Sequence, residues 1–123
     1  MPPLSQSDLT ILAALIVGAA WFLLMRRRAT AEPLTRQQLL ELRQRGAVVL
    51  DVRTSAEFAQ GHPKGARNIP LGQLKARLGE LDKDKPILAC CASGMRSGSA
   101  CSILRKAGFK EAHNLGPWTN LQS

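Results

Sequence analysis

The feature that most constrains this chain is an apolar run near its N-terminus. Residues 9–25 read LTILAALIVGAAWFLLM, and Thr10 is the only polar side chain among them. As a helix, this run spans about 25 Å, which is at the short end for crossing a bilayer core. A helix that is apolar on every face does not suit the surface of a soluble domain. The run therefore predicts a single transmembrane helix.

The charges beside the run predict its orientation. Arg26-Arg27-Arg28 follows it, whereas the residues before it include Asp8 and neither Lys nor Arg. A cleavable secretory signal carries its positive charge before the apolar stretch, so an uncleaved anchor over residues 1–28 is the better interpretation. By the positive-inside rule, the arginines and everything after them lie in the cytoplasm. We expect a single-pass protein of the cell (inner) membrane, with its domain on the cytoplasmic side.

A short linker, residues 29–33, separates this anchor from residues 34–123, which suffice for one small domain. The domain carries 14 Lys/Arg against 7 Asp/Glu, a formal charge of +7. Such a balance favours anionic partners. Nucleic acid is the weakest of these, because aromatic residues are few and no recognition motif is present.

The three cysteines match neither a disulfide framework nor a metal site. Cys90 and Cys91 are adjacent, no C-x-x-C spacing occurs, and His62 and His113 lie far apart. We predict no metal, no cofactor, a reducing compartment and one reactive thiol. Cys90 is interpreted as a core residue, and Cys101 as a packing residue rather than a resolving thiol.

Helical and strand patterns alternate after residue 34. Four helices are expected: one begun by a Thr35–Gln38 capping box and ended by Gly46, one begun by a Thr54–Glu57 capping box, an amphipathic one over 71–81, and one capped by Ser97 and ended by Gly108. The expected strands are two buried ones over 47–52 and 86–91, a brief one over 68–70 and a last one over 109–115. This order predicts an α/β sandwich around a mostly parallel sheet.

Chemistry is predicted where the strand over 86–91 leads into the next helix. Cys91 ends this strand, and the loop that follows it reads Ala92, Ser93, Gly94, Met95 and Arg96. Loop N–H groups, a helix N-terminus and the Arg96 guanidinium all favour an anion, so each stabilises the Cys91 thiolate. That thiolate would attack a sulfane sulfur donor and form a persulfide, which a thiol or cyanide discharges. The alternative is a buried cysteine that serves only as a small apolar side chain.

These residues resemble the single-domain rhodanese family. The motifs that carry the resemblance, in family order, are 50–53 (LDVR), 57–58 (EF), 61–62 (GH), 65–66 (GA), 68–70 (NIP), 91–97 (CASGMRS) and 107–109 (AGF). The resemblance covers residues 34–118, and bacterial rhodaneses with an N-terminal anchor are the most similar architecture. It implies a three-layer sandwich with a five-stranded parallel sheet, Cys91 as the sulfur carrier and residues 91–96 as the active-site loop.

The resemblance also places Asp51 and Arg53 near the site. Asp51 is interpreted as a loop brace or helix cap rather than a catalytic group. Arg53 is either a site residue or a solvated surface charge. Four residues separate Cys91 from Arg96, whereas the related cell-cycle phosphatases carry five, so the resemblance favours sulfur transfer over phosphatase or arsenate-reductase chemistry.

Two departures from the family pattern stand out. Ala92 occupies a position where the family often has a basic residue, which removes a charge from the site and bears on donor preference. The family tail usually has Gly-Gly, a later Trp and a helix, whereas this chain reads Gly116-Pro117-Trp118. We therefore expect a last helix that is short or missing.

The predicted function is a rhodanese-type (thiosulfate) sulfurtransferase. Its partners would be a small sulfur-donor anion or a protein persulfide, a thiol acceptor, and the lipid bilayer through residues 9–25. The alternative is a membrane-tethered rhodanese-fold module for interaction or sensing, with little turnover. The sequence does not predict an oligomeric state.

Overall fold

The computed structural model describes residues 2–29 and 33–121. Contacts group the chain into two units, Met1–Pro33 and Leu34–Ser123. The first unit contains helix α1, Gln6–Ala29. Its segment Gln6–Met25 has a mean hydropathy of 2.1 and is not buried inside the protein. This segment is long and apolar enough to cross a membrane, although a signal sequence near the N-terminus has the same properties.

The second unit alternates helices and strands around one sheet. Its elements are α2 (Arg36–Gln44), β1 (Val48–Asp51), α3 (Ser55–Gln60), β2 (Arg67–Asn68), α4 (Leu71–Leu74), β3 (Ile87–Cys91), α5 (Met95–Lys106), β4 (Ala112–Pro117), and two 3₁₀ helices at Lys75–Glu80 and Trp118–Leu121. The strand order is β2-β1-β3-β4, and every neighbouring pair is parallel. The predicted α/β fold is confirmed, with four strands among the described residues where the family resemblance implies five.

Strand β3 divides the core into two faces. Its side chains alternate, as they must in an extended strand. Ile87, Ala89 and Cys91 pack into the larger cluster, which includes the buried apolar residues of α5 and which we call the α5 face. Leu88 and Cys90 pack with Leu42 of α2 on the opposite side, the α2 face. Cys90 and Cys101 are both buried, as predicted.

Both predicted capping boxes are present. Thr35 Oγ1 accepts from the Gln38 N–H at 3.2 Å, and Gln38 Oε1 accepts from the Thr35 N–H at 2.9 Å. Thr54 and Glu57 repeat the arrangement at the start of α3. Each cap satisfies backbone donors that a helix leaves unpaired, and is worth about 1 kcal/mol. These local interactions fix where the two helices begin.

The predicted helix over 71–81 is wrong in type. After the single turn of α4, the chain tightens into the 3₁₀ helix Lys75–Glu80. Gly72 and Gly79 lower the helix propensity of this segment. Its leucines nevertheless pack on the α5 face, so burial is kept while the hydrogen-bond pattern changes.

The last strand also lies later than predicted. Pairing with β3 begins at Ile87 opposite Ala112, and the strand continues to Pro117. Phe109, expected to begin it, is instead a buried apolar anchor on the α5 face in the connection before the strand. A 3₁₀ helix, Trp118–Leu121, follows β4 where a short or missing helix was expected.

Candidate active site

Cys91 is the last residue of β3, and its side chain points into the α5 face with 0% exposure. The chain then turns through residues 92–94 into α5. Gly94 makes this turn at φ +101°, a left-handed conformation that side chains disfavour. A Cβ on Gly94 would also lie 3.2 Å from the Gly116 Cα. The turn brings the Gly94 N–H to 2.9 Å from Cys91 Sγ, where it donates to the sulfur.

The sulfur is surrounded by hydrogen-bond donors. Burial raises the pKa of Cys91, but the Ser97 hydroxyl and the backbone N–H groups of Ser97, Gly94 and Ser93 outweigh it, so this pKa lies below its ordinary value. The Ser97 Oγ is 3.3 Å from Sγ. Because the thiolate is the reactive form, these donors favour a nucleophilic sulfur.

Ser97 does not cap α5, contrary to the prediction. The cap position belongs to Gly94, which makes no side-chain cap bond, and Ser97 lies inside the first turn, fully buried. Met95 and Arg96 also belong to this turn rather than to the loop. The helix begins earlier because the left-handed Gly94 already turns the chain, which leaves the Ser97 hydroxyl free to face the sulfur.

Arg96 is paired with a carboxylate. Its NH1 and NH2 donate to Oε1 and Oε2 of Glu57 at 2.7 and 2.9 Å. This fork lowers the pKa of Glu57 to about 2 and raises the pKa of Arg96. The sequence alone predicts that Arg96 offers an unpaired positive charge to the thiolate, whereas in the structure the Glu57 carboxylate compensates most of this charge. Ala92, Ser93 and Met95 are exposed, so the outer rim of the loop carries no charged side chain.

Asp51 and Arg53 form a second, buried pair. Asp51 Oδ2 accepts from Arg53 NH2 at 2.7 Å, and Asp51 Oδ1 accepts from the Arg53 N–H at 3.0 Å. Arg53 is only 4% exposed, which excludes a solvated surface charge. Its guanidinium also donates to the Gly61 carbonyl at 2.6 Å and lies 4.6 Å from the Trp118 ring centroid. Asp51 therefore braces the turn after β1.

Asn114 is a site residue that the sequence analysis missed. Its Oδ1 accepts from the Ser97 hydroxyl at 2.6 Å and from the Gly116 N–H at 2.9 Å, and its Nδ2 donates to the Gly94 carbonyl at 3.0 Å. It lies on β4, whose carboxyl end meets that of β3 at the same sheet edge. No local motif marks Asn114, and only the strand order could have pointed to it.

The cavities found elsewhere do not extend this site. One of about 290 Å³ lies between the 3₁₀ helix Lys75–Glu80 and α5, and one of about 220 Å³ lies between α2 and β4. Neither is lined by Cys91 or its loop.

Several known proteins are similar to this chain. The family model described as "Rhodanese-like domain" matches residues 35–119. A thiosulfate sulfurtransferase, GlpE of Ectopseudomonas mendocina, is 39% identical over 79 residues, covering 64% of this chain and 72% of that protein. The protein YqhL of Bacillus subtilis is 51% identical over 71 residues, covering 58% of this chain. The match spans 56% of YqhL's own length.

A solved structure shares the arrangement of the second unit. It is described as a rhodanese with anions from E. coli and is 33% identical, with a TM-score of 0.57. The match covers 60% of this chain and 89% of that one. The similarity therefore extends over nearly all of that protein.

Proposed function

The chain belongs to the rhodanese-like domain family, with relatives named as sulfurtransferases, and on that premise we propose that it transfers sulfane sulfur through a persulfide on Cys91. The observation that carries the proposal is the ring of donors around Sγ. A buried thiol without such donors would be inert, whereas this one is held toward its thiolate form. The donor would be thiosulfate or a persulfide, and the acceptor a thiol or cyanide.

The first step loads the sulfur. The Cys91 thiolate attacks the outer sulfur of the donor and forms a new S–S bond. With thiosulfate, the S–S bond of the donor breaks, and sulfite leaves with the bonding electron pair. The negative charge moves to the outer sulfur of the persulfide, where the loop N–H groups are placed to stabilise it.

The second step unloads it. The thiolate of an acceptor attacks the outer sulfur, the Sγ–S bond breaks, and Cys91 leaves as a thiolate. The acceptor departs as a persulfide, or as thiocyanate when the acceptor is cyanide. The same donors that favour the Cys91 thiolate at the start also favour it as the leaving group here, which suits ping-pong kinetics.

Two ion pairs hold the backbone that carries the hydrogen-bond donors around Sγ. Glu57 holds Arg96 at the start of α5, and Asp51 with Arg53 holds the turn after β1. We assign both pairs a positioning role, because neither carboxylate forms a hydrogen bond with Sγ. The five-residue loop of a phosphatase is absent, and four residues between Cys91 and Arg96 form a narrower cradle.

The test is an intact mass of the full chain in detergent micelles. After incubation with thiosulfate we expect a gain of about one sulfur atom, roughly 32 Da, which cyanide removes. The gain should be absent in Cys91→Ser and present in Cys90→Ser, the matched control on the same strand. A folded protein that gains no sulfur from thiosulfate or from a protein persulfide overturns the proposal and leaves the tethered module as the function.

We also propose that the domain works at a membrane surface, on the cytoplasmic side. The apolar segment Gln6–Met25 and the arginines after it support this placement. Protease protection in sealed inner-membrane vesicles tests it. In inside-out vesicles the domain should be digested, whereas protection there would reverse the proposed orientation.

A further inference from the structure

The Ser97 hydroxyl lies between two acceptors and has one hydrogen to donate. Its Oγ is 3.3 Å from Cys91 Sγ and 2.6 Å from Asn114 Oδ1. Ser97 is 0% exposed, so bulk water does not offer a third partner. The hydroxyl therefore donates to one of these two groups at a time.

The orientation of the Asn114 amide follows from its partners. Nδ2 faces the Gly94 carbonyl at 3.0 Å, and Oδ1 faces the Gly116 N–H at 2.9 Å. A flipped amide would set a carbonyl against a carbonyl and an N–H against an N–H. Since Oδ1 only accepts, Ser97 is the donor in the 2.6 Å bond. This leaves Ser97 Oγ as an acceptor for the S–H of Cys91, the pattern of a resting thiol.

Ionisation of Cys91 changes the balance between the two acceptors. The sulfur loses its hydrogen and gains a full negative charge, which attracts a hydroxyl donor more strongly than a neutral amide oxygen does. Turning the hydroxyl toward Sγ leaves Asn114 Oδ1 with the Gly116 N–H, so the amide oxygen keeps a partner. The rotation costs no buried polar group its last hydrogen bond.

We propose that Asn114 is a positioning residue for the Ser97 hydroxyl. While Cys91 is a thiol or a persulfide, this hydroxyl donates its hydrogen bond to Asn114 Oδ1, and while Cys91 is a thiolate, it donates to Sγ instead. The persulfide half rests on the proposed function. Once the outer sulfur carries the charge, Sγ is a neutral bridging atom and a weak acceptor. The hydroxyl then returns to Asn114, whose Nδ2 holds the Gly94 carbonyl of the loop throughout.

The first test follows the Asn114 side-chain amide by proton–nitrogen correlation spectra of the full chain in detergent micelles. Its resonances should shift with pH at the midpoint at which the ultraviolet absorbance of the Cys91 thiolate appears. The shift should vanish in Cys91→Ser and in Ser97→Ala. A shift that persists at full size in Ser97→Ala would be a field effect of the thiolate and would overturn the proposal, as would an amide that does not respond in the native chain.

The second test uses Asn114→Asp, which keeps the shape and adds a charged acceptor. The carboxylate should retain the hydroxyl and slow alkylation of Cys91 at neutral pH about tenfold, the effect of one pKa unit. Asn120→Asp, an exposed change of the same type that does not touch Ser97, is the matched control. In a Ser97→Ala background the Asn114→Asp effect should fall to less than half. An equal slowing with and without Ser97 contradicts the exchange.

A third measurement separates this proposal from the proposed function. At a pH where Cys91 is a thiolate, loading with sulfur should return the Asn114 resonances to their low-pH positions. Resonances that keep their thiolate positions in a loaded protein would refute the persulfide half. If no donor loads Cys91, sulfur transfer fails while the pH response still tests the exchange.

Discussion

Cys90 and Cys91 are neighbours on one strand, both with 0% exposure, yet their thiols differ strongly in acidity. Burial, together with the nearby Asp51 and against the opposing effect of Arg53, raises the pKa of Cys90 to about 12. Burial also raises the pKa of Cys91, but the donors at the start of α5 reverse the result. The strand places one sulfur on each face of the sheet, and among residues 2–29 and 33–121 the hydrogen-bond donors to a cysteine sulfur lie on the α5 face.

Each face also has its own arginine–carboxylate pair. Asp51 and Arg53, near Cys90, have side chains that are 0% and 5% exposed, whereas Glu57 and Arg96, near Cys91, are each about a third exposed. A buried pair is costly to break because the remaining charge is left without a partner. A half-exposed pair is screened by water and contributes less. The buried Asp51–Arg53 pair on the α2 side is therefore the one that costs more stability when it is broken.

The largest effect on stability should come from breaking the buried Asp51–Arg53 pair. Arg53→Ala leaves Asp51 as a buried carboxylate and removes the guanidinium from the Trp118 ring. We expect the free energy of unfolding to fall by about 3–5 kcal/mol, measured by urea unfolding followed by circular dichroism.

The control for this change is Arg45→Ala. Arg45 pairs with Glu111 at 2.9 Å, but its side chain is 59% exposed. Its removal should cost about 1 kcal/mol or less. Equal losses of unfolding free energy in the two variants would show that burial does not make the Asp51–Arg53 pair more important for stability than an exposed pair.

The second effect is selective alkylation. At pH 8, pKa values of about 12 for Cys90 and about 11 for Cys101 leave thiolate fractions of roughly 10⁻⁴ and 10⁻³. Cys91, with a lowered pKa, should react with iodoacetamide at least about a hundredfold faster than either. Its rate should rise with pH and level off once the thiolate is fully formed, which peptide mass spectrometry can follow.

The comparison between the two sulfurs would fail if Cys90 were labelled as fast as Cys91. A Cys90→Ala variant provides the control, since its Cys91 rate should match that of the native chain. A slower Cys91 in that variant would mean that the two faces of the strand are coupled.

The third effect comes from the turn that supplies the Gly94 N–H. In Gly94→Ala the new Cβ meets the Gly116 Cα at 3.2 Å, and the left-handed backbone is strained. We expect a stability loss of about 1–3 kcal/mol and a higher pKa for Cys91, so that alkylation slows about tenfold at neutral pH.

Gly46→Ala is the matched control, because Gly46 has φ +83° and no atom within 4 Å of its Cβ position. It should cost stability through the same type of strain and leave the Cys91 rate unchanged. If both variants slow Cys91 alike, general loosening of the domain is the cause rather than the loss of one donor.

The smallest effect concerns charge on the rim of the loop. Ala92 is exposed, and Arg96 is already paired with Glu57. Ala92→Arg should raise kcat/KM for the dianion thiosulfate about fivefold, with a smaller gain for a singly charged persulfide, because it adds an uncompensated charge beside the sulfur. Ala76→Arg places the same charge at an exposed position elsewhere. An equal gain from Ala76→Arg would assign the effect to net charge alone.

The parts of the fold that rest on neighbouring residues could be predicted from the sequence. The capping boxes at Thr35 and Thr54 involve residues three apart, and the alternating burial of β3 follows from its extended backbone. The segment 71–81 was harder, because its leucines suit an α-helix and a 3₁₀ helix almost equally. Packing against the α5 face is kept in either form, so the pattern alone does not decide between them.

The candidate site also combines a part that could be predicted from neighbouring residues with contacts that could not. Cys91 and its loop are contiguous, so their motif is visible in the sequence. The pairing of Arg96 with Glu57 spans 39 residues, and the contact of Ser97 with Asn114 spans 17. Such contacts depend on which strands are neighbours and in what register, and no local pattern records that. For this reason the sequence alone predicts an unpaired Arg96 charge and a helix cap at Ser97.

The alternation along β3 also determines how long a stored sulfur would last. Two cysteines whose Cβ atoms point to opposite faces of a strand cannot join in a disulfide without moving the backbone. Cys90 is thus unable to act as a resolving partner for its neighbour, and a persulfide on Cys91 cannot be discharged by it into an internal disulfide. Delivery of the sulfur would therefore need a thiol other than the neighbour on the strand, and with a visiting acceptor the lifetime of the loaded state would depend on the concentration of that acceptor.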